Sequence, residues 1–230
     1  VNEDGKVEFT YFSEDGECGY PGELLAKAEY HWSDDNELTL TLKAESSEPT
    51  VVNLTNHVYF NLKGEGNGNI LDHNLKLYAS NYLPATEELI TTGEIATVKD
   101  TPMDFTEGKL IGRDIKADFP ALVNGKGYDS CWAIDNYNKG VMNPAATLSS
   151  EASGIKVDIM TTQPGVQIYT GNWLSGCPEG KCGKSYEDYE GVALECQAFP
   201  DAPNKANFPN AVLRPGEEYK EVIKFKFSTL

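Results

Sequence analysis

The stretch Leu38-Thr39-Leu40-Thr41-Leu42-Lys43 alternates strictly between apolar and polar side chains. Successive side chains of a β-strand point to opposite faces, so this period of two predicts a strand with one buried face. The same alternation returns in Ile223-Lys224-Phe225-Lys226-Phe227, and again over residues 75–79 and 155–159. Because the pattern recurs along the chain, we expect a protein built mainly from antiparallel strands.

The segments between these stretches are typical of turns. Examples are residues 13–16, residues 33–36 and the glycine-rich residues 63–69. No segment carries an apolar stripe with the 3.6-residue period of a helix over three turns. Glycine and proline are spread along the 230 residues and mark no linker. We therefore predict an all-β fold, a sandwich of large antiparallel sheets, in a single domain over residues 1–230.

The charge balance restricts the partners of the chain. Acidic residues number 36 and basic residues 19, which gives a formal net charge of −17, and Arg113 and Arg214 are the only arginines. Nucleic acids and phosphorylated ligands are bound by clusters of basic side chains, so neither class of partner is expected. No run approaches the roughly 20 apolar residues of a membrane helix, so no membrane partner is expected either. A neutral small molecule fits the composition, and the oligomeric state stays open.

The cysteines bear on the compartment. There are five, without zinc-ribbon spacing: Cys18, Cys131, Cys177, Cys182 and Cys196. Cys177 and Cys182 could bridge a short loop, although free thiols are favoured. The residues that follow Val1 show neither the charged nor the apolar region of a signal peptide. These features favour a cytoplasmic location and leave a periplasmic or secreted one open.

Of the three histidines, His57 has the most suggestive surroundings. It lies in residues 54–62, where the period of two predicts a strand with His57 and Tyr59 on the same polar face. A histidine on an aromatic, polar face suits sugar binding and proton transfer, although harmless packing against aromatics gives the same pattern. His31, at the end of a predicted strand, and His73, just before another, are interpreted as structural.

Two carboxylates are candidates for chemistry. Glu195 lies within an apolar strand pattern, and a buried carboxylate is unfavourable unless it is paired, hydrogen-bonded or functional. Burial also raises a carboxyl pKa, which suits a general base; the alternative is a strand-edge glutamate that faces solvent. Asp129 lies between Tyr128 and Trp132, where it could accept sugar hydroxyls or, alternatively, cap a turn.

Six ordered blocks of the chain resemble the aldose 1-epimerase family. The first contains Asn53-Leu54-Thr55-Asn56-His57, and the complete set is residues 53–62, 102–105, 127–129, 162–172, 194–204 and 213–217. Any one block alone is weak, but their common order over nearly the whole chain is specific. The resemblance implies a β-supersandwich, in agreement with the alternation described above.

The resemblance also implies a function and its residues. Members of this family are isomerases that interconvert the α and β anomers of free hexoses such as galactose or glucose, without metal or organic cofactor. Matching the motifs residue by residue, Glu195 would take the proton of the anomeric hydroxyl and His57 would protonate the ring oxygen. Asp129 and Gln167 would hold other hydroxyls of the sugar.

One departure from the family pattern keeps alternatives open. The family domain begins before the position of Val1, in a portion that carries a second active-site histidine, in a Leu-His-Gly-Gly motif, and a substrate-binding arginine. Neither motif occurs here, so the match covers the larger C-terminal part, and the activity of this chain alone is left open. The alternatives are a non-catalytic sugar-binding relative or inactive fragment, a hexose-6-phosphate epimerase, and a glycosidase using Asp129 and Glu195.

Overall fold

The computed structural model describes residues 5–181 and 183–230, and their regular structure is almost entirely β-strand. The strands are β1 Val7–Ser13, β2 Leu24–Trp32, β3 Glu37–Ser46, β4 Thr50–Val51, β5 Tyr59–Phe60, β6 Asn74–Leu77, β7 Asn81–Leu83, β8 Ala96–Thr97, β9 Lys109–Leu110, β10 Asp129–Ala133, β11 Asn143–Ser150, β12 Ile155–Thr161, β13 Gly165–Tyr169, β14 Val192–Gln197, β15 Val212–Leu213 and β16 Tyr219–Thr229. Among these described residues, helix is confined to α1 (Pro120–Gly125) and the 3-10 turns Glu17–Gly19, Ile111–Arg113 and Ala202–Asn204. The all-β prediction is confirmed.

The strands form two large sheets and one small one. The larger sheet has the order β1-β2-β3-β16-β12-β11-β6-β9, the second β5-β14-β13-β10-β7-β8, and the small sheet pairs β15 with β4. The two large sheets share one hydrophobic core, to which Leu40 and Ile223 contribute from the first and Ile168 and Leu194 from the second. The chain therefore forms a sandwich in which an inner face of each large sheet is buried.

The alternating residues of β3 turn their apolar side chains to the core and their polar ones to the other face. In the pairing of β3 with β16, Leu40 lies opposite Ile223, and both side chains are fully buried. Thr39 lies opposite Lys224 in the same pairing, and these polar side chains point to the other face. The apolar residues of both strands thus form one side of the core, as the period of two predicted.

The second large sheet has faces of opposite character. Val166 and Ile168 in β13, and Leu194 and Cys196 in β14, are fully buried in the sandwich. Because side chains alternate along a strand, the residues between them must point away from the core. This outer face, described below, carries the polar side chains of interest.

The strand predicted over residues 54–62 is wrong for most of its length, since only Tyr59–Phe60 is β-strand. The preceding residues are fastened by side chains instead: the Thr55 hydroxyl donates to the Cys196 carbonyl at 2.7 Å, and Asn53 Oδ1 accepts the Ala198 N–H at 2.9 Å. Asparagine and threonine side chains compete with strand ladders in this way. His57 consequently reaches its position on a loop that runs beside β14.

Some sequence features concern cysteines and membranes. Cys131 and Cys196 are buried free thiols, and Cys18 is an exposed one. The predicted alternatives for Cys177 depend on Cys182, which lies outside the described residues. None of the helices in the described part of the chain has the length and apolar character needed to cross a membrane.

Candidate active site

A row of polar side chains lies on the outer face of the second sheet. Gln167 lies directly opposite Glu195 where β13 pairs with β14, and Asp129 lies opposite Tyr169 where β10 pairs with β13. Residues two apart on a strand share a face, so Gln167 and Tyr169 point outward together, as do Glu195 and Gln197. The register of three adjacent strands therefore gathers these groups into one patch.

The patch forms the floor of a cleft of about 360 Å³. The four residues singled out from the sequence, His57, Asp129, Gln167 and Glu195, all line it. The other lining residues are Leu83, Ala85, Leu89, Thr91, Ser130, Cys131, Tyr169, Gln197 and Pro200. Among the described residues, the cleft lining contains neither lysine nor arginine, so the surroundings suit an uncharged polar ligand.

His57 and Glu195 face each other in this cleft. The Nε2 atom of His57 lies 3.5 Å from Oε1 of Glu195. The His57 ring packs beside the Tyr59 ring, with centroids 4.9 Å apart, and half of its side chain is exposed, at 50%, against 12% for Glu195. The alternative of a solvent-facing Glu195 at a strand edge is therefore wrong, because this carboxylate lies at the cleft floor.

Burial determines the electrostatics of the two cleft carboxylates. It raises the pKa of Glu195 above the ordinary carboxyl range, and the neighbouring Asp129 charge raises it further, while His57 opposes the rise. Burial also raises the pKa of Asp129, against the lowering effect of its hydrogen bond from Gln167 and of His57. A carboxylate with a raised pKa binds a proton more strongly, so Glu195 is a better base than an exposed glutamate.

Asp129 is joined to Gln167 across neighbouring strands. The Gln167 amide Nε2 donates to Asp129 Oδ1 at 2.7 Å. This hydrogen bond holds both side chains at the cleft floor. It occupies the Gln167 amide nitrogen and one oxygen of the Asp129 carboxylate. The Gln167 carbonyl oxygen and the second Asp129 oxygen can therefore accept hydrogen bonds from a ligand.

The sequence interpretation did not name three polar residues of this region as site residues. Tyr59 and Tyr169 have ring centroids 6.2 Å apart, each close to His57, and Gln197 lines the cleft beside Glu195. Burial raises the pKa of Tyr59 to about 12, so its hydroxyl keeps a proton to donate. The signal was available for all three, because Tyr59, Tyr169 and Gln197 each stand two positions after a chosen residue in a predicted strand.

The other two histidines lie outside the cleft. His73 is fully buried, its Nε2 accepts the Leu62 N–H at 3.0 Å, and its Nδ1 lies 3.1 Å from Asp72 Oδ1. His31 pairs with Thr39 in the first large sheet. Over residues 5–181 and 183–230, no three histidine, cysteine, aspartate or glutamate side chains converge in a way that could hold a metal ion.

Comparison with known proteins assigns the chain to a family. A family model for aldose 1-epimerase matches residues 1–226. The chain belongs to the aldose 1-epimerase family. Among its family relatives, galactose mutarotase from Bos taurus is 43% identical over 222 residues, which are 96% of this chain and 63% of that protein. Galactose mutarotase from Homo sapiens is 44% identical over 224 residues, again 96% and 63% of the two chains.

The fold comparison gives the same family. The structure of an aldose epimerase homologue from C. elegans matches with a TM-score of 0.87 at 28% identity, covering 100% of this chain and 67% of that one. The predicted β-supersandwich and the family resemblance are both confirmed. The chain spans 63% of the length of the mammalian relatives, so what it does by itself is treated as a proposal.

Proposed function

We propose that this chain interconverts the α and β anomers of free hexoses such as galactose or glucose, as an aldose 1-epimerase. The observation that carries the proposal is the 3.5 Å approach of His57 Nε2 to Glu195 Oε1 in the cleft. It is supported by the family match and by relatives that bear the name galactose mutarotase.

The chemistry explains why an acid and a base must lie so close together. The anomeric hydroxyl and the ring oxygen of a hexose are bonded to the same carbon, C1. Glu195, as the base, takes the proton of the anomeric hydroxyl while protonated His57 delivers one to the ring oxygen, each over roughly 2.6–3.2 Å. The bond between C1 and the ring oxygen breaks, and the open aldehyde forms.

Reversal of these steps completes the reaction. Rotation about the C1–C2 bond presents the other face of the aldehyde to the ring-forming hydroxyl. His57 then takes the proton of that hydroxyl, and Glu195 returns its proton to the aldehyde oxygen as the ring closes. Both residues finish in their starting protonation states, and one proton has been accepted for each one donated. We propose that Asp129 and Gln167 hold other hydroxyls of the sugar and thereby turn the two oxygens bonded to C1 toward His57 and Glu195.

The lining of the cleft favours this reaction over the alternatives. A hexose-6-phosphate epimerase needs a lysine or arginine for its phosphate, and the described cleft lining has neither. A glycosidase would use Asp129 and Glu195 as its carboxylate pair, whereas here Asp129 is bonded to Gln167 and Glu195 faces His57.

Further expectations from the sequence belong to the same proposal. Side-chain proton transfer supplies the whole reaction, so we propose that no metal or organic cofactor takes part. The acidic charge of the chain supports a free aldose as its partner, with no role for nucleic acid or membranes. The shared core of the two large sheets supports a single domain, and the free thiols Cys18, Cys131 and Cys196 support a cytoplasmic location.

Polarimetry tests the proposal. Freshly dissolved α-galactose and α-glucose should reach anomeric equilibrium faster with the protein than without it, and a chelator should leave that rate unchanged. Galactose 6-phosphate should be a much poorer substrate. Sugar binding measured by calorimetry without any rate acceleration would point to the non-catalytic relative. Absence of both binding and acceleration would overturn the proposal.

A further inference from the structure

Two fully buried polar residues lie beside the cleft without lining it. Thr170 and Asn172, directly after β13, each have 0% exposed surface. They pack against residues 125–128, which run from the last residue of α1 through the turn before β10, and the next residue after that turn is Asp129. Buried polar groups are unfavourable unless their hydrogen bonds are satisfied, so their contacts indicate what they stabilise.

These side chains bond to the backbone of residues 125–128 and to each other. The Thr170 hydroxyl accepts the Tyr128 N–H at 3.1 Å and donates to Asn172 Oδ1 at 2.5 Å. The Asn172 amide Nδ2 donates to the Gly125 carbonyl at 2.7 Å and to the Tyr128 carbonyl at 3.0 Å. The residue just before Asp129 is therefore held through both its N–H and its carbonyl group.

The side chain of Asn172 also packs tightly against the backbone of Gly127. Gly127 has a φ of +151°, and a Cβ atom at this position would lie only 2.5 Å from Asn172 Oδ1. The side chain of Asn172 therefore rests directly on the glycine backbone, where a larger residue would push it away. This contact therefore fixes the course of the backbone into β10, of which Asp129 is the first residue.

We propose that Asn172 and Thr170 are positioning residues, which fix residues 125–128 so that Asp129 enters the cleft in the orientation that meets Gln167. Neither residue lines the cleft, so any effect on a ligand must pass through neighbours that do, of which Asp129 follows the turn that they hold. A shift of about 1 Å in a substrate-holding group can reduce rates about 100-fold, so control of this backbone has functional weight. The kinetic part of the inference rests on the proposed function, and the structural part does not.

Matched variants separate positioning from general stability. Thr170→Val removes the hydroxyl at similar volume, whereas Thr170→Ser keeps the hydroxyl. Asn172→Ala is compared with Asn143→Ala, because Asn143 is also buried and donates its side-chain amide to a backbone carbonyl, that of Val141, at 2.9 Å. Asn143 belongs to β11 of the other large sheet and does not line the cleft.

The first measurement follows the Asp129 carboxyl by carbon-13 nuclear magnetic resonance during a pH titration. Burial is the main cause of its raised pKa, so solvent admitted by a loosened turn should lower that pKa toward the ordinary range. We expect this change in Thr170→Val and Asn172→Ala. Thr170→Ser and Asn143→Ala should titrate like the wild type. The measurement needs no enzymatic activity.

The second measurement is kinetic. Loss of a hydrogen bond to a charged group corresponds to about tenfold or more in binding, so Asn172→Ala should raise KM about tenfold with a much smaller change in kcat. If the effect passes through Asp129, adding Asn172→Ala to Asp129→Asn should raise KM by less than about twofold. Asn143→Ala should lower the melting temperature and leave KM unchanged.

The outcomes are distinct. The inference is overturned if Asn172→Ala and Thr170→Val lower the melting temperature while both the Asp129 titration and KM stay at wild-type values. If Asn172→Ala does not fold, the Thr170→Val and Thr170→Ser pair decides. If the wild type shows no mutarotation, the proposed function fails, and the Asp129 titration still decides the inference.

Discussion

The imidazole of His57 and the carboxylate of Glu195 approach to 3.5 Å, although half of the His57 side chain is exposed and only 12% of that of Glu195. Glu195 is held by the register of a central strand, whereas His57 arrives on a loop fastened by its neighbours' side chains. The inner partner is thus the rigid one, and the outer partner can exchange protons with water. This asymmetry suits a base fixed at the cleft floor and an acid at the cleft mouth, and it leads to the following predictions.

Glu195→Gln should reduce kcat about 10²–10⁴-fold, the usual contribution of general acid–base assistance. The amide is nearly isosteric, so the fold should persist while the capacity to take the anomeric proton disappears. Polarimetry on α-galactose measures the loss. Glu221→Gln is the control, because Glu221 is also a buried strand glutamate with a pKa raised by burial, but it lies outside the cleft. Near wild-type kcat in a folded Glu195→Gln variant would remove Glu195 as the base.

His57→Asn should lose a comparable factor in kcat, because ring opening needs both proton transfers. In the double variant with Glu195→Gln, the two losses should not multiply, since residues that act as one unit are non-additive. Fully multiplicative losses would show that the two side chains act in separate steps. His31→Asn, in the other large sheet, is the control and should keep wild-type kcat.

Asp129→Asn should act mainly on KM, because its proposed role is to hold sugar hydroxyls through an oxygen that Gln167 leaves available. We expect KM to rise about tenfold or more, with a smaller change in kcat. Asp158→Asn is the control, since Asp158 also accepts a hydrogen bond from a neighbouring strand, from Thr147 at 2.7 Å, and pairs with Lys156, but lies in the other large sheet. A large loss of kcat at unchanged KM would instead place Asp129 in the proton transfers.

The pH dependence should follow the ionisation of Glu195. Only its carboxylate form can accept a proton, so kcat/KM should fall as the pH falls through the raised pKa of Glu195. The Asp129 charge contributes to that rise, so Asp129→Asn should move this acidic limb to lower pH. A limb that stays in place in Asp129→Asn would mean that the two carboxylates are not coupled.

The raised pKa of Glu195 should also make the stability of the fold depend on pH. A carboxyl whose pKa is raised in the folded state favours folding below its unfolded pKa, and this contribution is lost as the pH rises through the folded pKa. At neutral pH the ionised Glu195 therefore destabilises the fold, and Glu195→Gln should raise the melting temperature by a few degrees. The gain over the wild type should vanish in acid, below the ordinary glutamate pKa. A lower melting temperature at neutral pH would contradict this interpretation.

The sequence alone predicted the strands whose alternation is regular. Leu40 and Ile223 were placed on buried faces correctly, because a period of two depends only on local geometry and on the preference of apolar groups for the core. Glu195 was also identified as a carboxylate within an apolar strand. Its neighbours in the sequence are apolar, which indicates a buried strand, and a carboxylate is unfavourable there unless it has a partner or a function. The prediction of a single domain stays a prediction.

The tertiary structure decided what local pattern could not. Residues 54–62 follow the pattern of a strand except at Asn56, yet the Thr55 side chain donates a hydrogen bond to the β14 backbone, a partner distant in sequence that no local period reveals. The meeting of His57 with Glu195, and of Asp129 with Gln167, depends on the order β5-β14-β13-β10 of the second sheet. Side-chain period determines which face a residue occupies, whereas only the long-range pairing of strands determines which residues share a cleft.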